Sequence, residues 1–132
     1  MRVVAALIAF ATLAAVMTTA ASSRSTPSVG VTLKEMTIAV STQSVAPGKV
    51  TFVIQNRGTI EHEFVVLRGV TSLPVKGFKA VEPEANAVDE VEGIEPGKTG
   101  RLTVTLTKGK YLLLCNQPGH YQLGMYTTLV VR

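Results

Sequence analysis

The sequence predicts an all-β protein, an antiparallel β-sandwich of about seven to eight strands, and three observations carry that expectation. Apolar residues alternate with polar ones through most of the chain after Val29. Clusters of Gly, Pro and Asn break the alternation at short intervals. No stretch in that region sustains a helical period, and no internal repeat or low-complexity tract is present.

Taken in order, Val29, Val31 and Leu33 alternate with polar neighbours, and Met36, Ile38 and Val40 do so in the opposite phase. The change of phase at Lys34-Glu35 predicts a bulge or a strand that switches sheets. Ala46-Pro47-Gly48 is a turn, and Lys49 to Gln55 the next strand, with Val50, Phe52 and Ile54 on one face. Asn56-Arg57-Gly58 turns the chain into Thr59 to Leu67, where Ile60, His62, Phe64 and Val66 share the inner face and Glu61 and Glu63 the outer. Arg68 to Val88 is irregular, with Gly69, Pro74, Gly77 and Pro83, and reads as a long connection with a short helical turn at a sheet edge. Asp89 to Glu95 is a short strand closed by the Glu95-Pro96-Gly97-Lys98 turn. Arg101 to Thr107 points Leu102, Val104 and Leu106 inward. The Thr107 to Lys110 turn then leads into Tyr111 to Cys115, and Met125 to Val131 is the last strand.

A chain of 132 residues accommodates one domain with an ordinary core. Its N-terminus is set apart. Met1-Arg2 is a short basic start, Val3 to Met17 is apolar, and Thr18 to Ser23 offers small residues of the kind signal peptidase cuts after. Residues 1–21 are expected to be a secretory signal peptide cleaved after Ala21, the apolar run being short for a membrane span. The alternative is an uncleaved N-terminal anchor. Residues 22–28 are a polar linker, and 29–132 the folded domain. The mature protein is thus expected to be exported, periplasmic or otherwise extracytoplasmic, with no integral membrane span. Without Arg2 it carries twelve basic and nine acidic residues. That mild and evenly spread excess points away from nucleic acid.

In an exported protein a single cysteine cannot form an internal disulfide, so Cys115 is a reactive thiol, an intermolecular link or a metal ligand. Its surroundings favour the metal. Cys115, His120 and Met125 are each separated by four residues, in one loop between two apolar strands. Pro118-Gly119 fits the centre of a tight turn that folds His120 back toward Cys115. Asn116 is able to stiffen the loop by bonding nearby backbone, and Gly124 lets the chain bend before Met125. His62 is the only other histidine. A thiolate, two imidazoles and a thioether form the trigonal His₂Cys set with axial Met that selects type 1 copper. Methionine is a poor zinc ligand, and a di-copper centre would need a second cysteine. Four ligands leave no open position for a substrate, so no enzymatic activity is expected. Each residue alone has a plainer explanation: a buried thiol, a core methionine, a core histidine. Their joint spacing in one loop is what favours copper.

With its Pro-Gly before the histidine, the Cys-x4-His-x4-Met loop resembles that of the cupredoxins, the small blue copper proteins such as azurin, auracyanin, rusticyanin and sulfocyanin. The resemblance covers about Val29 to Arg132. It implies a two-sheet Greek-key sandwich and one copper ion cycling between Cu(I) and Cu(II). It also implies outer-sphere electron transfer through the edge of His120. Pro118, Gly119, Tyr121 and Leu123 would surround that edge with an uncharged patch suited to brief docking of redox protein partners by a monomer. The chain departs from the family at Glu63, where many members place an asparagine. One-electron carriage is the expected function, with copper storage or delivery as the alternative.

Overall fold

The structure is a computed structural model that describes residues 25–132. The expected signal peptide, residues 1–21, lies outside the described residues. Strands β1 (Ser28–Lys34), β2 (Thr37–Val40), β4 (Gly48–Asn56) and β9 (Thr99–Leu106) form one sheet in the order β2-β1-β4-β9. The facing sheet contains β3 (Ser44–Val45), β5 (His62–Arg68), β8 (Ala87–Ile94), β10 (Gly109–Leu114) and β11 (Tyr126–Val131), in the order β3-β11-β10-β5-β8. A small hairpin, β6 (Val75–Lys76) with β7 (Lys79–Ala80), stands apart, and a 3-10 turn at Glu84–Asn86 leads into β8. Among the described residues no helix is long and apolar enough to cross a membrane.

The all-β sandwich expected from the alternation is present, with eleven strands among the described residues rather than seven or eight. The additional ones are the two-residue strands β3, β6 and β7, too short to leave a periodic signature. The sheets are also mixed rather than purely antiparallel, because β1 pairs in parallel with β4, and β3 with β11. Alternation reports which face a residue takes and is blind to the direction of the neighbouring strand. At Lys34-Glu35 the chain does not bulge or change sheets. It reverses in a tight hairpin, so that β2 pairs antiparallel with β1, Lys34 opposite Thr37.

The core lies between the sheets, where Val29, Leu33, Phe52, Ile54, Phe64, Val66, Leu113 and Leu129 are fully buried. Phe52 and Phe64, one from each sheet, place their rings 5.2 Å apart across it. A second apolar cluster sits on the outer face of the five-stranded sheet. Val65, Leu67, Leu112 and Leu114 are covered there by Leu73, Ala80 and Tyr121, from the irregular segment and the loop after β10. Burial on both faces accounts for the unbroken apolar runs Phe64 to Leu67 and Tyr111 to Leu114.

Candidate metal centre

Three elements converge at one end of the sandwich. His62 opens β5. It is fully buried, as are Phe64 and Val66 on the same face, whereas Ile60 precedes the strand and is exposed. The loop before it is held by the buried Asn56. The Asn56 Nδ2 donates to the carbonyls of Ile60 and Ile94, both at 2.8 Å, and its Oδ1 accepts the N–H of Gly58 at 2.8 Å.

The second element is the Cys115 to Met125 loop. The N–H of His120 donates to the Gln117 carbonyl at 2.9 Å, closing the turn with Pro118 and Gly119 at its centre and Gly119 at φ 84°. Glycine takes that conformation without the Cβ strain another residue would meet. The Cys115 N–H reaches the Met125 carbonyl at 3.0 Å, and the Met125 N–H reaches the His120 carbonyl at 3.0 Å. The backbone of all three sequence-predicted donors is thereby tied together. Asn116 acts over a longer range than its expected local role. Its Oδ1 accepts the Ala80 N–H at 2.7 Å and its Nδ2 donates to the Ala80 carbonyl at 3.0 Å, pinning the loop to β7. The tip of the small hairpin also touches the loop, with the Gly119 N–H 2.6 Å from the Phe78 carbonyl.

The donor atoms meet. Cys115 Sγ lies 3.3 Å from His120 Nδ1 and 3.8 Å from His62 Nδ1, and the two nitrogens are 3.2 Å apart. A point equidistant from all three lies about 2.0 Å from each, the length of a transition-metal bond to imidazole and slightly short of one to thiolate. His62 and Cys115 are fully buried and His120 keeps 7% of its surface exposed. Met125 is fully buried in the same cluster as Cys115. All four sequence-predicted site residues are therefore at this end of the fold.

The electrostatics suit a cation. Burial raises the Cys115 thiol above its ordinary value, against the lowering effect of the Glu63 and Gln117 N–H groups. Burial, and then the neighbouring His62, lower the His120 imidazole. Such groups are neutral when alone, and a metal ion would supply the charge that stabilises a thiolate between them. The Glu63 N–H is aimed at Cys115 Sγ, 3.4 Å away.

Two acidic residues adjoin this site, of which the sequence pointed to Glu63 but not to Glu35. Glu63 was expected on the outer face, and it is only 6% exposed there, since the second apolar cluster covers that face. Burial raises its carboxyl above the usual range, opposed by Lys79 and by the Asn116 N–H. The apolar Val65 and Leu67 on the same face were the signal in the sequence that this face is covered. Glu35, from the β1–β2 hairpin, brings Oε1 within 3.3 Å of His62 Nε2. The N–H groups of Thr59, chiefly, and Ile60 help hold its carboxyl down at about 2. Nothing in the spacing of the chain marks Glu35.

Comparison with known proteins agrees with this geometry. The family model described as "cupredoxin-like domain" matches residues 5–131. The chain belongs to the cupredoxin-like family. A curated relative, the copper-resistant cuproprotein CopI of Rubrivivax gelatinosus, is 35% identical over 91 residues, covering 63% of this chain and 52% of that protein. The match therefore spans about half the length of that relative. The cupredoxin domain also superposes on solved structures. Auracyanin from the photosynthetic bacterium Roseiflexus castenholzii gives a TM-score of 0.63 at 20% identity, over 83% of this chain and 99% of that one. Rusticyanin from Thiobacillus ferrooxidans gives 0.61 at 20% identity, over 82% and 79%. At such identities the likeness is one of fold. Within this cupredoxin domain the His₂Cys cluster, with Met125 buried beside the cysteine, is arranged as a type 1 copper site.

Proposed function

We propose that the protein is an exported one-electron carrier in which His62, Cys115, His120 and Met125 ligate a single type 1 copper ion. The observation that supports it most is the closed triangle of Cys115 Sγ, His62 Nδ1 and His120 Nδ1, made of buried side chains. Bound there, copper would supply the Cu(I)/Cu(II) couple. The chain's own contribution is to keep the donors still, through backbone bonds that tie Cys115, His120 and Met125 to one another. His120 is the ligand with an exposed edge, which suits it as the route for the electron. Near it stand Leu123 and Phe78, 67% and 74% exposed, an apolar surface of the kind small, brief redox encounters use. In this reading residues 1–21 are the export signal and residues 29–132 the working domain, which has no enzymatic activity of its own.

The likeness to a copper-resistance protein favours a second reading, copper storage or delivery. Two measurements separate them. Copper-loaded protein should be intensely coloured and should cycle reversibly in potentiometry without losing metal. Rapid transfer of copper to an acceptor on each cycle would favour delivery instead. Cys115→Ser should abolish the colour, and unchanged visible absorption would remove Cys115 as the dominant ligand. Met125→Gln should retain copper with a shifted potential.

A further inference from the structure

The first hairpin reaches the metal centre from the side opposite the Cys115 loop. Glu35 stands between β1 and β2, and its carboxylate enters the loop that precedes β5. Its Oε1 accepts the N–H of Thr59 at 2.7 Å and of Ile60 at 3.1 Å, and lies 3.3 Å from His62 Nε2. The hairpin is fixed there by the Arg57 N–H, 2.8 Å from the Leu33 carbonyl. Gly58 makes the approach possible, because a Cβ at that position would overlap the Glu35 carboxylate. The opposite nitrogen of the same ring, Nδ1, faces Cys115 Sγ and His120 Nδ1.

A neutral imidazole carries its proton on one nitrogen, and the hydrogen bond made by one nitrogen decides whether the other is free to ligate. A carboxylate is an acceptor only, so the ring nitrogen beside it must be the one that carries the proton. We propose that Glu35, admitted by the absence of a side chain at Gly58, is a positioning residue that accepts the Nε2 proton of His62 and so commits Nδ1 to the metal. This inference rests on the assignment of His62 as a copper ligand. The negative charge behind the ring also makes it a better donor, which favours copper(II) over copper(I).

Wild type, Glu35→Gln, Gly58→Ala and Glu95→Gln test it. Gly58→Ala keeps the carboxylate but displaces it. Glu35→Gln keeps the shape but removes the charge, and Glu95→Gln removes an equal charge from an exposed turn. The first readout is the ¹⁵N shift of the His62 ring in copper-free protein, at a pH where imidazole is neutral. Wild type should carry the proton on Nε2, and Gly58→Ala should populate both tautomers. The second readout is copper(II) affinity. It should fall about 10–100-fold in Glu35→Gln and in Gly58→Ala, and stay unchanged in Glu95→Gln. Each tenfold loss relative to copper(I) raises the one-electron potential by about 59 mV. A wild-type His62 protonated on Nδ1 overturns the inference, and that measurement needs neither a variant nor bound metal. So does a folded Gly58→Ala protein with wild-type tautomer and wild-type affinity. Failure of wild type to bind copper would instead overturn the copper reading, while the tautomer still decides the role of Glu35.

Discussion

At the scale of single residues, the side chain next to the thiol holds more than its own loop. Asn116 satisfies both backbone groups of Ala80 and also donates to Glu82 Oε1, all from a buried position. Truncation would leave the buried Ala80 N–H without a partner, a loss of about 1–3 kcal/mol. Asn116→Ala is therefore expected to lower stability by that amount in urea unfolding. In copper-loaded protein it should also broaden or shift the thiolate-to-copper absorption, because Cys115 loses the brace on its C-terminal side. An unchanged midpoint and an unchanged spectrum would show that the backbone bonds of the loop suffice alone.

At the scale of elements, β8 is an edge strand, and its charges bear on how that edge is kept from pairing with other chains. Burial raises the Glu90 carboxyl, and the like charges of Glu92, Glu82 and Asp89 raise it further. The folded protein thus binds this proton more tightly than the unfolded chain. Stability from this group falls as pH rises through the folded value, and the cost vanishes below the ordinary carboxylate range, where both states are protonated. Glu90→Gln should accordingly raise the Tm at neutral pH and give no increment at acid pH, as a thermal series across pH would record. A Tm gain that persisted in acid would have a cause other than charge. The variant also removes one of the charges that guard the edge, so light scattering on heating should rise.

At the scale of the whole molecule, the Phe52–Phe64 pair joins the two sheets directly behind the site. Phe64 lies two residues from His62 on the same inner face, so packing and metal geometry share one strand. Phe64→Ala should cost about 3–5 kcal/mol in denaturant unfolding and should speed the release of bound copper. A destabilised variant that held copper as firmly as wild type would show the site to be independent of the core.

Much of this was legible in the chain. The phase of Val50, Phe52 and Ile54, and of Leu102, Val104 and Leu106, specified inner faces that are buried as expected. The Pro118-Gly119 turn could be read because proline and glycine each dictate a dihedral angle locally. His62 could be matched to the loop because the chain offers no other histidine. What stayed hidden depends on pairs far apart in sequence: Glu35 with His62, Asn116 with Ala80, β1 running parallel to β4. By itself the sequence determined the kinds of donor, their spacing in one loop and the alternation that builds two sheets, since each is a local property of neighbouring residues. Only the tertiary structure decided which acid stands behind His62 and that Glu63 is buried, since both depend on where the first hairpin and the 70–80 segment come to rest.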